Sequence, residues 1–266
     1  MIAIAWVLAG LVLGMPVTLR AQATRAGVDT TPPGASAAAP DSLRLLRPGD
    51  AAFDSRHLQT DSTQYRLVLF REGSQFPVGQ LVDEMRRDSS TQGVWLRRVQ
   101  RVQRGSMQLI DSSVTDAGTL APRSHASLQP TRRVALEFTG RRVRGWVGPV
   151  DAPTVPFDTV LPLPVFDAGN WDLLVRALPL AKGYAARLAV FDVDGGLRAY
   201  QIRVTGRTEV QGEDAHVVIL TLARGRESVV WVGATSGRIL RIETMLNATT
   251  MLLQERVQVD PVRDVR

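Results

Sequence analysis

The chain has 266 residues, a formal net charge of +6 and no cysteine, with 44% hydrophobic and 22% charged residues. That balance is ordinary for a globular protein and excludes collagen, a coiled-coil rod, a polytopic membrane protein and a wholly disordered chain. Without thiols there are no disulfides, thiol nucleophiles, iron–sulfur clusters or thiolate zinc sites, and only His57, His125 and His216 remain as nitrogen ligands.

Ile2 to Leu19 carry no charge, Pro16 breaks the apolar run, and Ala21-Gln22-Ala23 comes next. An apolar segment, a breaker and a small-x-small site predict a secretory signal peptide over residues 1–23, cleaved after Ala23. An uncleaved membrane anchor is the alternative, because about 18 apolar residues just span a bilayer. Either way the expected location is the periplasm or another exported compartment. Residues 24–50 are rich in Ala, Pro, Thr, Ser and Gly and predict a disordered tether, leaving residues 51–266 as one domain. Of the 32 basic residues only Lys182 is lysine. An exported chain meets little nucleic acid, so no such partner is expected. The arginines read as a solvated surface or as contacts to anionic membrane head groups.

Within the domain, Tyr65–Phe70, Arg132–Phe138 and Arg141–Val147 read as strands, and Val94–Gln103 with Met107–Thr115 as a hairpin around Gly105. Val78–Arg87 suits helix or strand, and the hairpin on its carboxy-terminal side favours strand. Asp151–Pro164 holds four prolines and predicts an extended covering strap. Trp171, Leu174, Val175 and Leu178 fall at i, i+3, i+4 and i+7, which predicts a helix with one apolar stripe. Asp167 or Asn170 can cap its start, and Pro179 ends it. Beyond it, six strands from Leu188 to Val259, joined by short turns, predict an antiparallel meander.

No sequence motif of a nucleophile elbow, zincin, P-loop or dinucleotide fingerprint occurs. Asp192-Val193-Asp194-Gly195 opens like a calcium loop but lacks the later ligands, and a hairpin turn explains it. Ser124 and His125 are adjacent, so on a strand they face opposite ways and cannot pair. No catalytic, metal or cofactor residue is assigned, and the chain is expected not to be an enzyme. Trp95, Trp146, Trp171 and Trp231 read as core or as the lining of an apolar pocket.

Three segments resemble an exported bacterial family of unknown function, DUF3108. They are Leu120–His125, Val165–Leu180 (VFDAGNWDLLVRALPL) and Val230–Glu243 (VWVGATSGRILRIE). The resemblance spans roughly residues 61 to 256 and implies a long curved antiparallel sheet around a helix, similar in plan to half-barrel carriers of lipoproteins. It carries over no catalytic residue. The expected fold is therefore mainly β: one curved antiparallel sheet of roughly ten to twelve strands, half-barrel-like, with the main helix on its concave face. The expected function is a non-catalytic cell-envelope protein that holds a lipid, acyl chain or lipoprotein in the concavity, lined by Trp146, Trp171, Leu174 and Leu178. The alternative is a structural module that docks to another envelope protein.

Overall fold

The structure, a computed structural model, describes residues 43–258. The expected leader and residues 24–42 of the expected tether lie outside the described residues. The rest of that tether belongs to the fold. Leu45–Leu46 form a short strand, β1, and Leu46 is fully buried in the core. Its cluster of leucines supplies the apolar surface that the preceding Ala/Pro-rich residues lack.

The chain then runs as a meander. It contains β2 (Ser62–Arg71), β3 (Ser74–Ser90), β4 (Gly93–Arg104) and β5 (Met107–Asp116). It continues with β6 (Pro122–Leu128), β7 (Arg132–Thr139), β8 (Arg142–Pro149) and β9 (Val155–Val160). After β10 (Phe166–Asp167) and a 3-10 turn at Ala168–Asn170 comes the helix α1 (Trp171–Arg176). A second meander completes the chain: β11 (Ala185–Asp192), β12 (Gly196–Val210), β13 (Glu213–Ala223), β14 (Arg226–Gly233), β15 (Ile239–Asn247) and β16 (Thr250–Arg256).

All sixteen strands join one sheet, in the order β1-β11-β12-β13-β14-β15-β16-β2-β3-β4-β5-β6-β7-β8-β9, with β10 added beside β11. The two meanders are joined by antiparallel pairing of β16 with β2. Only β1 and β10 run parallel, both to β11. The fold class is as expected, with more strands. Part of the difference is the proline-rich strap, whose Val155–Val160 pairs with β8 as an outer strand instead of running free. An edge position tolerates Pro156, which has no N–H to give to a further neighbour. The segment at 78–87 is strand, the middle of the 17-residue β3. At its bulge, Gly79 is required for close approach: a Cβ there would run into the carbonyl oxygen of Gln103.

Topology explains where the helix sits. β9 and β11 are near neighbours in sequence but lie towards opposite ends of the sheet. The connection between them has to cross the concavity, and α1 forms on that crossing. Six residues are too few for a helix to hold itself together in water, so tertiary packing maintains it. It is buried on every side: Trp171, Asp172, Leu173, Leu174 and Val175 are each at most 2% exposed. The expected single apolar stripe is thus replaced by a helix enclosed all round. Its regular turns end at Arg176, with Ala177 as the C-cap.

The sheet also curls until its two ends meet without closing. On β11, Leu188 and Val190 face the main core with the helix, while Ala189 and Phe191 pack with Val134, Leu136 and Phe138 of β7 and Val143 of β8. Phe191 meets Phe138 edge-on, with ring centroids 6.2 Å apart. A strand covered on both faces carries a continuous apolar run, and Leu188–Phe191 (LAVF) is one.

Candidate functional site

The inward faces of β4, β5 and β6 are unusually polar. Period-two alternation puts Leu96, Arg98, Gln100 and Val102 on one face of β4, and all four are buried. Asp111, Ser113 and Thr115 of β5 and Ser127 of β6 are also buried, and His125 lies on the same face as Ser113, its register partner. This polar wall meets the amino-terminal end of α1.

Arg98 is the centre of the wall. Its guanidinium bonds Asp83 of β3 through Nε at 2.8 Å and Asp172 of α1 through Nη1 at 2.7 Å, with Nη2 reaching both carboxylates. Burial opposes the charge on Arg98, yet the two aspartates outweigh it and raise its pKa well above the ordinary value. Burial likewise opposes the charge on Asp172, and Arg98 reverses that, lowering its pKa. Two bidentate pairs on one planar fork fix the helix to β3 and β4 in one orientation.

A second chain of contacts runs from β5 and β6 into the turn before the helix. Asp167 Oδ1 accepts the Gly169 N–H at 2.9 Å, so Asp167 caps the 3-10 turn. Its Oδ2 meets His125 Nδ1 at 2.8 Å and the Asn170 amide at 3.1 Å, and Asn170 Oδ1 accepts the Ser113 hydroxyl at 3.0 Å. Asn170, the other expected cap, makes no capping bond to α1 and instead bridges to β5. Gly169 has to be glycine here, since a Cβ would come within 2.7 Å of the His125 ring. Burial disfavours protonated His125, but the Asp167 charge beside it prevails and raises its pKa, with Asp111 adding to the effect. Burial disfavours the Asp167 carboxylate too, and His125 with the Gly169 N–H lowers its pKa.

Asp111 is 5% exposed, and neither of its carboxylate oxygens has a hydrogen-bond partner among the described residues; the same holds for Gln100 Nε2. Both border a cavity of about 10 Å³ beside Ser113, His125 and Asn170. That is room for one water molecule. A narrow crevice of about 60 Å³ lies on the other side of His125, between β6–β7 and the β11–β12 turn, with Arg132 and Asp194 paired at 2.6 Å across the two ends of the sheet.

Chemically this wall is an anchor. His125 directs Nδ1 to Asp167, and no hydroxyl among the described residues is bonded to its ring. Ser124 faces the other way, next to Val114 and Glu137, as the alternation requires. No cluster of three or more His, Asp or Glu among the described residues is placed to hold a metal. The Asp192–Gly195 segment is the β11–β12 turn, with Asp192 Oδ1 accepting the N–H groups of Asp194 and Gly195.

Of the four residues expected to line the concavity, the structure brings three together. Trp171, Leu174 and Leu178 are buried in the main core, packed with the inner faces of both meanders. Trp146 is elsewhere. It pairs with Ala135 on the outer face of β8, under the Arg133 guanidinium. Sequence reasoning missed the polar wall. The signal in the sequence is faint: Arg98 and Gln100 alternate in step with Leu96 and Val102, but Trp95 and Val99 make the opposite face of β4 partly apolar too.

No curated protein matches the chain. Solved structures with a match include a DUF1329 family protein from Desulfovibrio piger, at 11% identity over 83% of this chain and 96% of that one, with a TM-score of 0.28. The sequence profile described as "Protein of unknown function (DUF3108)" matches residues 64–254. That span runs from β2 to β16 and takes in the polar wall and the helix it holds, so the chain belongs to the DUF3108 family.

Proposed function

We propose that this protein is a non-catalytic, exported binding module of the cell envelope, and that it engages its ligand or partner on the outer face of the sheet. The observation that carries this reading is the filled concavity. Trp171, Leu173, Leu174 and Val175 are at most 2% exposed, and Asp172 is held by the buried Arg98. A lipid chain in that space would have to expel the helix, losing the burial of Trp171, Leu173, Leu174 and Val175 and breaking the Arg98–Asp172 half of the ion network, while Asp83 alone stayed on Arg98. Export is supported by the apolar leader ending in Ala21-Gln22-Ala23. The non-catalytic reading is supported by the use of His125, Asp167 and Asn170 as structural ties.

Native mass spectrometry of protein purified from its own envelope, combined with organic extraction, tests the reading. Protein without an internally held lipid is expected. A co-purifying lipid lost on Leu174→Ala, with folding retained, would place the ligand inside the concavity and overturn it.

A further inference from the structure

Outside the barrel-like interior, a groove of about 760 Å³ opens at one end of the outer face. Its floor is one cross-strand row. Arg97 of β4 is opposite Val114, Val114 opposite Ser124, Ser124 opposite Glu137, and Glu137 opposite Arg144. Since Arg98 points inward, this whole row points outward. The groove is of the size that holds small organic ligands, about 300–1,000 Å³.

Three guanidinium groups meet there with two carboxylates. Arg97 pairs with Asp88, and Arg144 with Glu137 at 2.6 Å. Arg123 is different. Its guanidinium lies over the Trp95 ring, 4.4 Å from the centroid, and it forms no ion pair with any described residue. An arginine stacked on an aromatic face is held flat, leaving the edge of its donor fork available for a planar pair of acceptor oxygens. Ser89, Ser90 and Ser124 add hydroxyl groups to the lining of the groove.

We infer that this groove is a binding site for a phosphate-bearing anion, with Arg123 as the principal ligand and Arg97 and Arg144 as supporting charges. The excess of one positive charge selects an anion. The stacked fork takes two oxygens of either a carboxylate or a phosphate, and the serine hydroxyls lining the groove can take the further oxygens that only a phosphate has. The inference rests on the reading that the outer face is the working face. The phosphate can belong to a lipid head group or be free in solution, and the two are separable by experiment.

The test uses the full chain with inorganic phosphate in calorimetry and with phosphatidylglycerol vesicles in co-sedimentation. The variants are Arg123→Gln, Arg144→Gln, Leu174→Ala as a probe of the interior and, as an exposed arginine outside the groove, Arg47→Gln. Thermal midpoints confirm that each is folded. The expected result is binding that falls about tenfold or more in Arg123→Gln, less in Arg144→Gln and not in Arg47→Gln. Response to inorganic phosphate identifies free phosphate as a sufficient ligand. Response to vesicles alone identifies a lipid head group. Binding of neither probe, or equal losses in Arg123→Gln and Arg47→Gln, would overturn the phosphate site while leaving the outer-face reading standing. Vesicle binding kept in Arg123→Gln but lost in Leu174→Ala would overturn both.

Discussion

The two halves of the sheet line the same concavity with opposite materials. The inward faces of β12 to β15 carry Tyr200, Ile202, Val204, Val218, Leu220, Val230, Val232, Ile239 and Ile242, all buried in the main core. The inward faces of β4 to β6 interleave leucine and valine with Arg98, Gln100, Asp111, Ser113, His125 and Ser127. The apolar half stabilises without specifying, because hydrophobic burial is not directional. The polar half does the reverse. Buried ions are expensive to desolvate and return that energy only in one geometry, so they fix where α1 sits more than they strengthen it.

The contrast can be broken first on the apolar side. Leu174→Asp would put an unpaired carboxylate among core side chains and should cost about 4 kcal/mol or more, a large share of a domain's stability. Chemical denaturation measures this, and an unchanged midpoint would show that the helix is not docked. On the polar side, Arg98→Met leaves Asp83 and Asp172 buried with no cation between them, and should cost about 3–5 kcal/mol. Replacing all three together, with Arg98→Met, Asp83→Leu and Asp172→Leu, should restore stability to within about 1–2 kcal/mol of the original or exceed it. A triple variant as weak as Arg98→Met alone would mean that the network contributes net stability after all.

Smaller effects sharpen the comparison. The raised pKa of His125 means that the His125–Asp167 tie is complete below the ordinary histidine value of 6.5 and is lost as pH rises through the raised value. The lowered pKa of Asp167 means that it is complete above the ordinary carboxylate value of 3.8 and is lost as pH falls through the lowered value. Stability should therefore peak between these two limits, and His125→Gln should flatten the alkaline side of that peak in thermal scans across pH. Smallest of all, Asp111→Asn removes a buried charge that has no hydrogen-bond partner among the described residues, and should stabilise by about 1 kcal/mol. A loss of stability there would show that Asp111 supports the charge on His125 more than it costs in burial.

The same contrast decided what could be read from the chain. In the second meander, inward positions are apolar and outward ones polar, so Tyr200, Ile202 and Val204 against Gln201 and Arg203 read directly as a strand with one buried face. In β4 and β5 the inward positions are themselves charged or hydroxylated. The alternation is then hidden, and Arg97 and Arg98 look alike although one faces water and the other is 3% exposed. The helix was legible from Trp171, Leu174 and Leu178. Its enclosure was not, because Asp172 reads as a solvent-facing residue until Arg98, 74 positions earlier, is known to lie beneath it. Residue type alone groups Trp146 with Trp171. Telling them apart requires the register that sets Trp146 opposite Ala135 on the outer face.

The central claim, a closed concavity and a working outer face, is open to direct test because the chain has no cysteine of its own. Single-cysteine variants Leu174→Cys and Ser89→Cys report on the interior and on the groove, respectively. Maleimide labelling under native conditions, read out by mass spectrometry, gives the two rates. A filled concavity predicts rapid labelling at Ser89→Cys, slowed by the groove's ligand, and labelling at Leu174→Cys only on the timescale of unfolding. Rapid native labelling at Leu174→Cys, slowed by added lipid, would contradict it.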